Sequence, residues 1–325
     1  MTRGDHRALT AGALVLTGAL ALTACGSSDG DSGSDAAAPT SQKTHTVSTA
    51  MGDVKVPEHP TRVVVLDTGE LDSALTLGVR PVGATHAATE AGFPSYLPGD
   101  EVKGIKEVGE IANPNMEAVA ALKPDLILTS KVRDGARYEQ LSAIAPTVMT
   151  ESTGTAWKEN FQVHADALGR KAEAKKVIAD YDTHVAKVTT AIGGKEKAAA
   201  TDVNFVRFVE GADIRIYGKQ NYIGSILADL GVGRPAITDK AKDGFSYDVS
   251  PEKIDLADAD VIFTSTYGDP GKAKATETMK SGLWKNLRAS EDGKVFEVDD
   301  NLWIAGIGYT AARQILDEFQ KDLTA

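Results

Sequence analysis

Residues 113–130 read NPNMEAVAALKPDLILTS, and residues 248–265 read DVSPEKIDLADADVIFTS. Aligned from Asn115 and Ser250, Glu117 falls on Glu252, Val119 on Ile254 and Asp125 on Asp260. The triplet ends match as well, with Thr129-Ser130 on Thr264-Ser265. Each copy reads as a short helix that starts near its Glu and leads to a strand ending in Thr-Ser. The runs LIL and VIF suit short strands covered on both faces. One domain seldom repeats so long a pattern, so two similar lobes are expected.

The flanking segments extend this reading. RVVVLD (62–67) is a continuous apolar strand, GELDSALTLGV (69–79) a helix closed by Gly78, and PVGATHA (81–87) the next strand. Strand, helix, strand in that rhythm gives a parallel sheet flanked by helices. The module returns as ADIRIYG (212–218) and QNYIGSILADLGV (220–232), the helix ending at Gly231. Ahead of both, TVSTA and DVKV form two short strands joined by a turn at Met51-Gly52. Between the halves, Ala174, Val177, Ile178, Tyr181, Val185, Val188 and Ile192 follow helical spacing up to Gly193-Gly194. A helix from Lys171 to Ile192 would run ~33 Å and act as a stiff connector. The expected fold is α/β, two Rossmann-like lobes joined by one long helix. Its lobes cover residues 45–168 and 194–325, with the bridge at 169–193.

The 325 residues are 42% apolar and 25% charged, with a net charge of -11. Acidity favours solubility and excludes the basic stripe that a nucleic-acid binder needs. The first 24 residues read as a secretory signal: Arg3 and Arg7, then an Ala/Leu-rich run too short for a membrane span. That run ends in LTAC, whose Cys25 is the only cysteine of the chain, so no disulfide supports the fold. Residues 25–44 are rich in Gly, Ser, Asp and Ala and read as a flexible tether. GSSDG (26–30) matches the nucleophile elbow G-x-S-x-G, but lacks the strand and helix that the elbow requires.

Taken in order, TRVVVLD…ELDSALTLGVRPVG, NPNMEAVAALKPDLIL, IYGKQNYIGSILADLGVGRP, VSPEKIDLADADVIF and LWIAGIGYTAARQILDEF resemble the substrate-binding lipoproteins of bacterial iron–siderophore ABC importers. The resemblance covers nearly all of residues 45–325. That family, which includes vitamin B12 binders, has a helix-bridged, two-lobed fold of the class III periplasmic binding protein type. The resemblance implies a ferric siderophore held between the lobes, the siderophore supplying every iron ligand, with no cofactor and no direct metal ligand from the protein. It implies a monomer that docks on a membrane permease driven by an ATPase. One Glu per lobe pairs with permease arginines, here Glu117 and Glu252. LTAC resembles a lipobox, making Cys25 the lipidated (palmitate-bearing) anchor on the extracellular face of the membrane. With the Ala-rich composition, this points to a Gram-positive, actinomycete-like source.

In open α/β sheets, ligands bind beyond the carboxyl ends of strands. The loops expected there carry Arg133, Tyr217, Tyr247, Tyr267 and Trp303. Trp157 is a further candidate, as is Arg207 in VNFVRFVE, because a charged residue amid Phe205, Val206 and Phe208 needs a partner. Stapling the helix that follows is the competing reading for Trp157, core packing for Trp303, and solvation for Arg133. Aromatic and Arg side chains suit an apolar skeleton around an oxygen-rich centre. Few basic residues stand at the strand ends, which favours a weakly charged hydroxamate such as ferrioxamine over a catecholate.

Three other readings compete. Direct metal capture needs several converging His, Asp or Glu, and only His86 of six histidines ends a lobe strand. Heme, through a cleft Tyr, and cobalamin remain open. A secreted hydrolase has no nucleophile elbow, HExxH or paired-carboxylate motif in its favour. GIGYTA (306–311) reads as close packing at a helix start, not as a dinucleotide fingerprint.

Overall fold

The structure, a computed structural model, describes residues 43–87 and 92–324; the signal segment and Cys25 lie outside them. β1 (Thr44–Thr49) and β2 (Gly52–Pro57) form the expected antiparallel hairpin. The first lobe is built on a six-stranded sheet: β3 (Val63–Val65), β4 (Gly83–His86), β5 (Lys106–Glu110), β6 (Asn113–Pro114), β7 (Leu126–Ser130) and β8 (Thr147–Thr150). Its order is β6-β5-β4-β3-β7-β8, and all pairs are parallel except β5 with β6. The helix Thr68–Thr76 follows β3, and Gly78, at φ 73°, ends it in the left-handed region that glycine adopts without strain.

The second lobe holds β9 (Val203–Val209), β10 (Ile214–Tyr217), β11 (Ser246–Val249), β12 (Val261–Tyr267) and β13 (Val295–Glu297), ordered β11-β10-β9-β12-β13. Here the copy is inexact. β9 turns directly into β10, so β10 runs antiparallel to both neighbours, whereas β4 runs parallel beside β3. Strand–helix–Gly–Val therefore recurs in sequence, but the helix Tyr222–Leu230 follows the reversed strand.

The repeated phrase does the same job in both sheets. Asp125, just before β7, accepts hydrogen bonds from the backbone N–H groups of Thr61 and Arg62 at 2.8 and 2.9 Å. Asp260, just before β12, accepts one from Asp202 N–H at 2.8 Å. Each Asp thus anchors the chain entering the parallel neighbour, β3 or β9, and fixes its register.

Alternation divides the side chains of each sheet between two faces. Val63, Val65, Leu126, Leu128 and Val148 of the first sheet share one large core with Val203, Phe205, Val261 and Phe263 of the second. Opposite faces bury separate clusters, Val64, Ile127 and Met149 in one lobe and Val206, Ile216 and Ile262 in the other. The shared core also holds the buried face of the 21-residue helix Lys171–Ala191. That helix carries the connector pattern seen in sequence: Ala174, Tyr181 and Val188 are buried, and Val177, Ile178 and Val185 pack against them. The C-terminal helix Tyr309–Thr324 packs on the bridge and on Thr68–Thr76. Its entry is tight: Asp72, wholly buried, accepts from the N–H groups of Thr310 and Ala311 at 3.1 Å each. Gly308 has φ 153°, and a Cβ there would collide with that carboxylate, so GIGYTA is close packing at a helix start. Among the described residues, no helix is long and apolar enough to cross a membrane.

Candidate functional site

A cleft of about 570 Å³ opens between the lobes. From the first lobe come Val132 and Arg133, just past β7, and the Ser152–Thr155 turn past β8. The second lobe contributes Arg207, Tyr217, the segment 220–223, Asp243, Phe245 and the Trp303–Ile307 turn. Most of the lining is apolar or aromatic, with a few fixed polar groups, as in small-molecule sites generally.

Local structure places each key group. β7 ends at Ser130, and the short helix Lys131–Asp134 presents Arg133. Its Nε donates to Asp67 at 2.7 Å, while the other oxygen of Asp67 accepts from Thr68 N–H at 2.7 Å and caps the helix Thr68–Thr76. In the second lobe, alternation puts Phe205, Arg207, Tyr217, Phe263, Ser265 and Tyr267 on one side of the sheet. Arg207 Nε donates to Asp300 at 2.7 Å and Nη2 to the second Asp300 oxygen, a bidentate pair. Ser265 Oγ donates to the same Asp300 at 2.7 Å. The guanidinium lies 4.8 Å from the Tyr267 ring centre, and its Nη1 donates to Tyr217 Oη over a long 3.4 Å.

Of the seven residues expected to touch ligand, the cleft gathers Arg133, Arg207, Tyr217 and Trp303. Trp303 is wholly buried, stacked on Phe263 and Phe205 with its indole N–H donating to Glu318 at 2.6 Å, so it serves as core and as cleft floor together. Tyr267 flanks the site by covering Arg207. Trp157 lies outside the cleft lining: it is 2% exposed, edge-on to Tyr181, Tyr222 and Tyr309, and donates its indole N–H to Ser225 at 2.8 Å. It packs the junction of the lobes behind the cleft. Tyr247 lies outside it as well: opposite Ile216 in register, it packs on the outer cluster with Val206 and Ile254. Reversal of β10 is the reason the expected strand-end loops do not all converge. The 217–222 loop lies at one end of the second sheet, and the loop after β12 lies at the other, beside Glu210.

Asp67, Asp300 and Phe245 were not among the ligand contacts expected from sequence. Asp67 and Asp300 sit in segments expected near the cleft, but their pairing with Arg133 and Arg207 spans 66 and 93 residues. Phe245 is 42% exposed at the cleft, with its ring 5.4 Å from that of Tyr217 and its carbonyl accepting from Gly218 N–H and Asn221 Nδ2. A pinned backbone holding an exposed aromatic is the signal for it. Behind Arg133, Glu70 and His164 are both buried, their nearest polar atoms 3.8 Å apart. Burial, then the neighbouring Asp67, pushes the Glu70 carboxyl up to about 8, and burial pulls His164 down to about 3, so both are neutral near pH 7.

The repeated glutamates stand elsewhere. Glu117 is exposed in the first turn of the helix Met116–Ala121, which Asn115 caps by accepting from Ala118 N–H at 3.0 Å. Glu252 is exposed in the first turn of Pro251–Ala257, a 3₁₀ segment. Hydrogen bonds from Ser250 and from its own backbone hold the Glu252 carboxyl below the usual range.

Two α/β lobes around a cleft, with each cleft arginine paired to a carboxylate, have the architecture of a substrate-binding protein. The chain belongs to the family of periplasmic binding proteins, whose family model matches residues 63–302. It is 40% identical over 315 residues to the probable siderophore-binding lipoprotein YfiY of Bacillus subtilis, covering 94% of each chain. It is 32% identical over 287 residues to the iron(3+)-hydroxamate-binding protein FhuD of the same organism, covering 86% of each. The crystal structure of Staphylococcus aureus SirA complexed with staphyloferrin B superposes with a TM-score of 0.78 at 34% identity, over 86% of this chain and 98% of that one.

Proposed function

We propose that this protein, lipid-anchored through Cys25 on the outer face of the membrane, captures a ferric siderophore in the cleft and delivers it to an ABC-type importer. A hydroxamate of low charge, such as a ferrioxamine, suits the site best. The observation that carries this reading is the pairing of both cleft arginines with carboxylates, at 2.7 Å for Arg133 and in two bonds for Arg207. The site thus offers N–H donors without a surplus of positive charge. A complex with several negative charges would find both arginines already neutralised and Asp243 in the lining. Tyr217 and Phe245 supply apolar surface for the ligand skeleton, and a curated relative named as a hydroxamate binder accords with this class.

Tryptophan fluorescence tests the reading, because Trp303 floors the cleft. Titration with ferrioxamine-type, catecholate and citrate-type ferric complexes, heme and cobalamin should show quenching that saturates at the lowest concentration with the ferrioxamine. Tighter binding of heme or cobalamin than of any ferric siderophore would refute it.

Glu117 and Glu252, both exposed, are the proposed docking charges for the permease. Charges of this kind act on docking rate and register. The double variant Glu117→Ala/Glu252→Ala is expected to bind ligand as the wild type does while cellular uptake of the ferric complex falls at least tenfold, roughly 1.4 kcal/mol in coupling. Uptake at the wild-type rate would remove these two residues from the docking surface.

A further inference from the structure

We propose that Asp67 and Asp300 determine which ferric complexes the cleft accepts, by neutralising the one arginine that each lobe presents to it. This rests on reading the cleft as a siderophore site. The two lobes reach the same device by different routes. In the first, the carboxylate follows β3 and the arginine follows β7, its parallel neighbour. In the second, the arginine lies within β9 and the carboxylate follows β13, with Ser265 of the intervening β12 hydrogen-bonded to it. Each carboxylate is held by a second donor, Thr68 N–H or Ser265 Oγ, so neither swings away to leave a bare guanidinium.

The pairs differ in what they leave over. Asp67 is 2% exposed and engages only Nε of Arg133. Among the described residues, no group bonds its η nitrogens, and the side chain is 36% exposed at the cleft. Arg133 therefore offers N–H donors for ligand oxygens. Arg207 gives two donors to Asp300 and a third to Tyr217, and both members of that pair are 12% exposed. Arg207 and Asp300 act as a closed, neutral wall. An arginine without its aspartate would attract any anionic iron complex, whatever its shape. With the aspartate, only the hydrogen-bonding geometry of the guanidinium remains to recognise ligand, and an added negative charge on the ligand finds no free cation in the pair. The two aspartates are specificity-determining residues that act through the arginines.

The test is a comparison of ligand preferences in the full chain. Wild type, Asp67→Asn, Asp300→Asn, Asp300→Glu and Arg207→Gln/Asp300→Asn are titrated with a ferrioxamine-type complex and with a ferric tris-catecholate. Each Asn variant is expected to shift the ratio of the two Kd values about tenfold toward the catecholate, the effect of one uncompensated charge at contact range in a partly wet site. Asp300→Glu keeps the wild-type ratio. The double variant restores it, because the exposed charge leaves with Arg207, an outcome that a merely structural role for Asp300 would not give. Thermal melting shows which variants fold, and Asp67→Asn reads the effect independently should Asp300→Asn not fold. A ratio that stays within threefold of wild type in the folded Asn variants overturns the proposal while the siderophore reading stands. A wild type that binds neither complex overturns both.

Discussion

Trp157→Ala lowers the unfolding free energy by about 3–5 kcal/mol and leaves the affinity of the cleft nearly unchanged. Four elements meet on this one indole. The Trp comes from the helix Trp157–Ala167 of the first lobe, Tyr181 from the bridge, Tyr222 from the second lobe and Tyr309 from the C-terminal helix. Their ring centres lie 5.7, 5.3 and 4.6 Å from it, all edge-on. Such pairs add about 0.5–1.5 kcal/mol beyond their buried area. Next to them, Asp229 accepts from Tyr181 Oη at 2.7 Å and pairs with Lys158 at 2.5 Å. Truncation opens a cavity among these rings and removes the hydrogen bond to Ser225, whose hydroxyl keeps its bond to the Tyr222 carbonyl. Trp157→Phe keeps most of the packing and should cost less than half as much. Urea unfolding followed by circular dichroism measures the loss. An affinity that collapses while stability holds would return Trp157 to the cleft wall.

The same residue shows where sequence reading succeeds and where it stops. Trp157 was legible as the start of a helix, but its neighbours Tyr222 and Tyr309 arrive from 65 and 152 residues away, and no local pattern brings them together. What was legible was periodic or repeated. Continuous apolar runs named β3, β7 and β12, and helical spacing named the bridge. The doubled phrase located Asp125 and Asp260, whose common role is to anchor the entry of the neighbouring strand. An apolar run carries no information on strand direction, so the reversal of β10 was hidden. That reversal separates the loop after β12 from the cleft, while the register of β11, with Tyr247 opposite Ile216, puts Tyr247 on the outer core.

Charge was legible as need, not as partnership. Arg207 amid Phe205, Val206 and Phe208 had to have a partner. The sequence left open a ligand or solvent, and the structure supplies Asp300. The difference bears on function, because a bare arginine and a neutralised one select different ligands. The arginine that keeps donors to spare is Arg133, and behind it lies the most perturbed carboxyl of the cleft region.

Glu70→Gln makes the protein more stable relative to wild type as the pH rises, with a gain between pH 5 and pH 9 on the order of 4 kcal/mol. Glu70 is 2% exposed, and burial followed by repulsion from Asp67 raises its carboxyl to about 8 from an ordinary 4.5. The folded chain therefore holds a proton that the unfolded chain has lost, and wild-type stability falls as pH climbs from about 4.5 through about 8, then levels off. Gln carries no proton to lose, so its own cost in this buried spot is the same at every pH. Asp72, raised by burial to about 6, titrates alike in both proteins and cancels in the comparison. The groups facing Glu70 are Asp67, Arg133, Asp134 and His164; Arg133 opposes the shift, and His164, neutral throughout this range, adds no charge. Denaturant midpoints of both proteins at pH 5, 7 and 9 give the result directly. A stability difference that stays constant across that range means that Glu70 is ionised in the folded protein, and the neutral carboxyl behind Arg133 is then excluded.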